Sequence, residues 1–149
     1  MARIIPLDIT NVRYIETAEL ARTCSFQGSG EFLCSLMLDD SLCEYEKVFA
    51  AIVDDSAVGF CALDKESCCE SGAEPWLDFL FVDEKYRNKG IAKLLIDAVC
   101  EYAKSLNFEQ IYLCTATHKE YYSRVGFAFM SDCEINESTT GTVMKKSLK

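Results

Sequence analysis

The sharpest change in the pattern of apolar and polar positions comes at Val82. PWLDFLFV (75–82) holds too many apolar residues for a half-exposed face, which predicts a central strand covered on both sides. DEKYRNKG (83–90) is a polar turn. Beyond it Ile91, Leu94, Leu95, Ala98, Val99, Tyr102 and Leu106 recur at helical spacing and predict the strongest amphipathic helix of the chain, closed by Asn107.

The flanking segments are read in the same way. MARIIPLD (1–8) predicts a short strand ended by Pro6 and Asp8, and Thr10 or Asn11 can cap a helix over 12–24 with Val12, Ile15, Leu20 and Cys24 inward. QGSGE (27–31) reads as a loop and 31–43 as a helix burying Phe32, Leu36 and Leu42. KVFAAIVD (47–54), the turn Asp54-Asp55-Ser56 and AVGFCAL (57–63) predict a hairpin, followed by a polar connection over 64–74. QIYLCT (110–115) is a further strand, 118–124 a short helix interrupted by Gly126, and 127–133 and 140–148 the last strands. A mixed α/β sheet with helices on both faces satisfies this order, as one domain over 1–149.

Charge and cysteine content narrow the function classes. Residues 1–75 carry 14 acids and 5 bases and residues 76–149 carry 10 of each, so the net charge of −9 belongs to the first half. A nucleic-acid partner would need a basic footprint, and none is present; a cationic ligand suits the field better. No apolar run of signal-peptide length precedes the acidic residue at position 8 and no stretch approaches 18 apolar residues, which leaves the cytoplasm as the expected compartment. The nine cysteines sit mostly in apolar runs, where a free thiol acts as a small hydrophobe. No C-x-x-C pair occurs and His118 is the single histidine, so no metal site is expected; Cys68 and Cys69 read as exposed loop thiols.

The candidate chemistry lies at the strand-to-helix junction. In RNKGIAK (87–93), Gly90 lets the backbone approach a ligand and Ala92 leaves the first helical turn uncrowded. That turn's unpaired N–H groups and the helix dipole favour an anion, with Arg87, Lys89 and Lys93 adding positive charge. The segment is neither a Walker loop nor a dinucleotide fingerprint, and loop physics alone allows either an anion site or an ordinary turn.

Two blocks carry a resemblance. Arg87, Gly90 and Ala92, shortly after a strand ending at Val82, resemble the [QR]-x-x-G-x-[GA] signature of the GCN5-related N-acetyltransferase (GNAT) family. YYSRVGF (121–127) is similar to that family's F-Y-E-K-L-G-F phrase, and the two blocks stand in the family's order. The resemblance implies a mostly antiparallel sheet in which the strand at 76–82 splays from QIYLCT to admit the pantetheine arm of acetyl-coenzyme A. Leu80, Phe81 and Val82 would bond pantetheine, while Arg87, Asn88, Lys89, Gly90, Ile91, Ala92 and Lys93 would hold the pyrophosphate. Thr115 stands where many members have asparagine, at the end of the strand facing the cofactor.

The implied reaction is acetyl transfer to a primary amine, by direct attack in a ternary complex, with Tyr122 protonating the leaving thiolate. Asp78, a charge inside an apolar strand, is a candidate base, with Asp39 and Asp40 as alternatives. Simple alternation puts Asp78 on the side of Trp76, Leu80 and Val82, opposite Phe79 and Phe81. The acidic run Asp39, Asp40, Glu44 and Glu46 suits an acceptor amine on a small cationic molecule, and a solvated acidic face explains the same run. A protein or peptide acetyltransferase, or a non-catalytic coenzyme A-binding protein, is the alternative. A homodimer is implied by the likeness alone.

Overall fold

The computed structural model describes residues 1–25, 27–67 and 72–149, so Cys68 and Cys69 lie outside the described residues. The elements run β1 (Arg3–Leu7), α1 (Arg13–Thr23), α2 (Gln27–Leu38), β2 (Lys47–Val53), β3 (Ser56–Asp64), β4 (Trp76–Val82), α3 (Ile91–Ser105), β5 (Gln110–Thr115), α4 (Lys119–Arg124), β6 (Ala128–Asn136) and β7 (Thr139–Ser147). Among the described residues the strands form one sheet in the order β1-β2-β3-β4-β5-β7-β6. Every neighbouring pair is antiparallel except β4 and β5. β4 is fourth of the seven, as its continuous apolar run requires. Pro6 lies within β1 rather than ending it, which is tolerated because β1 is an edge strand.

Two apolar layers cover the sheet. On one face Leu95, Ile96, Val99 and Ala103 of α3 pack with Phe49, Cys61, Leu63, Leu77, Ile111 and Met144. On the other, Tyr14, Ala18 and Ala21 of α1 and Leu33, Cys34 and Met37 of α2 pack on Val48, Ala50, Phe60 and Phe81. Leu95 is fully buried at the centre of the first layer, so Leu95→Ala is expected to destabilise the fold by about 2–5 kcal/mol. A lowered urea midpoint with an unchanged slope checks this.

The first two helices differ from the pattern-based expectation. α1 buries Tyr14, Thr17, Ala18 and Ala21 while Val12 and Ile15 are exposed, and the Asn11 side chain accepts from the Arg13 N–H at 2.8 Å. α2 begins at Gln27, taking in the glycine-rich run expected as a loop, and ends at Leu38 rather than residue 43. Its buried residues include Leu33, Cys34 and Met37; Phe32 is exposed and Leu36 and Leu42 only half-buried. The cause lies at Gly30, where a Cβ would run into the Ala21 carbonyl oxygen. Glycine there permits close packing of the two helices, and that need outweighs its low helix propensity.

Candidate functional site

The site is built where β4 separates from β5. Their ladder amounts to one residue pair, Trp76 with Tyr112, supported by a Tyr112 N–H to Pro75 carbonyl bond of 3.0 Å. Beyond that point the strands diverge, leaving backbone polar groups along their inner edges to face the gap. The gap opens into a cavity of about 730 Å³. It lies at the carboxyl ends of two parallel strands, where open α/β sheets gather their ligands.

One wall is the junction after β4. A 3-10 turn, Glu84–Tyr86, is capped by the Asp83 side chain accepting from the Lys85 N–H. Asn88 and Gly90 then take positive φ values of 62° and 81°. A Cβ at Gly90 would touch nothing, so the left-handed backbone rather than crowding makes glycine suitable there. The turn delivers the chain into α3 with no capping side chain on its first N–H groups. Those groups, with the positive end of the helix dipole, form an anion-binding terminus.

The cavity brings together Asp78, Leu80, Phe81, Val82, Arg87, Asn88, Gly90, Ile91, Ala92, Thr115 and Tyr122. It does not bring in the side chains of Lys89 and Lys93. Lys93 pairs with Asp97 at 2.7 Å one helical turn on, and Lys89 lies over the Tyr86 ring. Arg87 is anchored by its Nε donating to the Val82 carbonyl at 2.8 Å, with its guanidinium 5.7 Å from the Phe81 ring centroid. The alternative bases Asp39 and Asp40 are exposed and outside the cavity wall.

Tyr122 enters the cavity from α4, its ring edge-on to Tyr121 and Phe127. Burial pushes its hydroxyl pKa up, with Cys61, Tyr121 and Asp78 adding to the rise, so the group holds its proton at neutral pH. At the end of β5, the Thr115 hydroxyl accepts the His118 N–H at 3.0 Å and so shapes the entry to α4. His118 is exposed at the cavity rim, with Nδ1 2.9 Å from the Thr117 hydroxyl.

Asp78 sits at an irregularity that simple alternation misses. Ala62 pairs with Asp78 and Phe60 with Phe81, so the β3–β4 register slips between them, and Phe79 adopts a φ of 56°. Such a bulge re-aims the side chains that follow it. Asp78 therefore shares a face with Phe79 and Phe81, correcting the expected opposition, while Leu80 and Val82 turn toward the α3 layer with Leu77. Burial raises the Asp78 pKa, and hydrogen bonds from Asp64 and the Phe79 N–H partly offset that rise.

Cys114, on the strand expected to border the gap, also lines the cavity, as do Ser25, Tyr86, Ala116 and Thr117, which escaped sequence reasoning in that role. Cys114, Ala116 and Thr117 follow from strand divergence, since whatever ends β5 must border the gap. The Cys114 sulfur lies 3.2 Å from that of Cys133 on β6. Asp64, which adjoins Asp78, was readable only as an acid of the polar connection over 64–74, and Glu46, behind Asp64, only as part of the acidic run.

Comparisons with known proteins agree with this geometry. The family model described as "Acetyltransferase (GNAT) family" matches residues 15–127. A spermine/spermidine N(1)-acetyltransferase of Bacillus subtilis is 27% identical over 109 residues, covering 66% of this chain and 70% of the relative. The aminoglycoside 6'-N-acetyltransferase of Enterococcus faecium superposes with a TM-score of 0.79 at 16% identity, covering 99% of this chain and 97% of the other. An aminoglycoside 6'-N-acetyltransferase complexed with coenzyme A gives 0.78 at 16% identity, with the same coverage. At such identities the structural matches speak for the fold. Among the described residues no helix is long and apolar enough to cross a membrane.

Proposed function

The chain belongs to the GNAT acetyltransferase family, and from that premise we propose that it acetylates a primary amine of a small cationic molecule by direct attack in a ternary complex. Acetyl-coenzyme A is the acyl donor, and when bound it supplies the thioester carbonyl. The observation that carries the proposal is the meeting of three features around one cavity: the Gly90 turn with its open helix terminus, Tyr122 and Asp78.

The residues divide the work by their chemistry. Arg87 to Lys93 form the pyrophosphate-facing segment through backbone N–H groups more than through lysine side chains, since Lys93 is paired with Asp97 and Lys89 lies on Tyr86. The inner edge of β4 from Leu80 to Val82 offers backbone groups to the pantetheine amides, and Thr115 fixes the opposite strand end. A lysine-like ammonium with a pKa of about 10.4 costs about 4–5 kcal/mol to deprotonate at pH 7, so the acceptor needs a base. Asp78 is the carboxylate on the cavity wall suited to take that proton. Tyr122, kept protonated by burial, donates to the departing thiolate.

The small-amine reading draws support from the relatives, whose names specify spermine or spermidine and aminoglycosides, and from the net charge of −9. The test is coenzyme A release from acetyl-coenzyme A with separate pools of polyamines, aminoglycosides and lysine-bearing peptides. Turnover is expected with a small-amine pool. Turnover confined to the peptides would move the acceptor class to proteins, and binding of the donor without turnover in any pool would remove the catalytic reading.

A further inference from the structure

Asp78 is not an isolated acid. Behind it lies Asp64, the last residue of β3, and behind that Glu46, at the entrance to β2. The β-sheet register makes this possible: Ala62 opposes Asp78, Asp64 opposes Trp76, and Lys47 opposes Leu63, so three strands deliver one carboxyl each to the same corner. Asp64 is in the middle, within hydrogen-bond reach of both neighbours. Three adjoining carboxyls cannot all be ionised in a half-buried site, and a bond between two carboxyl groups requires a proton on one of them.

The surrounding donors decide where that proton resides. Glu46 accepts two backbone N–H groups, Cys43 at 2.7 Å and Lys65 at 2.9 Å, which hold it ionised. Asp78 accepts one, from Phe79 at 3.1 Å. Asp64 accepts one, from Lys65 at the same 3.1 Å, and is wedged between the other two acids. Among the described residues the other titratable groups near Asp78 and Asp64 are Cys61, whose sulfur lies 3.5 Å from the Asp78 carbonyl oxygen, Tyr122 from α4, Tyr45, whose hydroxyl donates to Glu74, and Lys65, which offers its backbone N–H and makes no ion pair with these acids. Among the described residues no cation forms an ion pair with Asp64 or Asp78, so proton sharing relieves the repulsion. Of the three acids, Asp64 shows the largest upward pull on its pKa, caused first by burial and then by Glu46 and Asp78.

We infer that Asp64 is a positioning residue for acetyl transfer: its carboxyl proton, offered to Asp78, holds that side chain on the cavity wall in the form that can take a proton from the acceptor ammonium. Glu46, already satisfied by backbone donors, leaves that proton to Asp78. Proton balance is simple. The ammonium N–H bond breaks, the O–H bond forms on Asp78, and Asp64 retains its own proton throughout. This inference rests on the reading of Asp78 as the base.

The test is the pH dependence of kcat/KM for amine acetylation in the wild type and in Asp78→Asn, Asp64→Ala and Asp64→Asn, each checked for coenzyme A binding. Asp64→Ala removes the donor, and the acid limb is expected to move up by about one pH unit, a tenfold loss of rate below it. Asp64→Asn keeps a neutral donor, its amide serving both neighbouring carboxylates, and the limb should stay near its wild-type position. The substrate amine's own limb, common to all forms, serves as the internal reference. If Asp78→Asn leaves the rate and acid limb intact, the base reading itself fails. If Asp78→Asn abolishes the limb while Asp64→Ala leaves it unmoved, or Asp64→Asn shifts it as far as alanine does, the role given to Asp64 alone is overturned.

Discussion

Tyr122→Phe lowers kcat by about 10²- to 10³-fold with little change in the KM for acetyl-coenzyme A, a loss in the range general acid catalysis supplies. The side chain is held by ring contacts with Tyr121 and Phe127, which phenylalanine reproduces, so neither the cavity nor the fold depends on the hydroxyl. No hydrogen bond of that hydroxyl occurs among the described residues, and Tyr122 lines the cavity. Removing it leaves the coenzyme A thiolate, resembling a thiol of pKa about 8.5, to depart without a proton. Steady-state kinetics with a saturating amine separates the two parameters. An unchanged kcat would remove Tyr122 from the chemistry.

Ala92→Glu raises the KM for acetyl-coenzyme A by about tenfold or more, equivalent to about 1.4 kcal/mol, while leaving the melting temperature equal or slightly higher. The two effects oppose each other for one reason. A carboxylate in the first turn of α3 complements the helix dipole and stabilises it by about 0.3–1 kcal/mol. Because Ala92 also lines the cavity, the same carboxylate repels a pyrophosphate at that terminus. A substitution that merely damaged the fold would lower both stability and affinity. Donor-dependent kinetics beside a thermal melt distinguishes these outcomes.

The second half of the chain was more legible than the first, and the reason is physical. α3 declares itself through one wide apolar stripe, and β4 through an apolar run that only a central strand can bury; both signals are local. The divergence of β4 from β5 was not local, and entered through the resemblance carried by the Arg87–Ala92 and YYSRVGF blocks. α1 and α2 were misread because their contact runs through Ala21 and Gly30, small residues that weigh little in a hydrophobic pattern yet set how closely two backbones approach. The Asp78 side was misassigned because the register slip near Phe79 breaks period-two counting. Asp64 and Glu46 were invisible as partners, since only the register among β2, β3 and β4 brings them to Asp78.

The central claim is that the gap between β4 and β5, closed at one end by the Gly90 turn, receives the acyl donor. Amide hydrogen exchange on the intact protein, with and without coenzyme A, tests it most directly. Slowed exchange is expected at residues 80–82, at 90–93 and at 113–115, with the edge strands β1 and β6 unaffected. Binding that leaves all three segments unprotected, or that protects the acidic run at 39–46 instead, would contradict it.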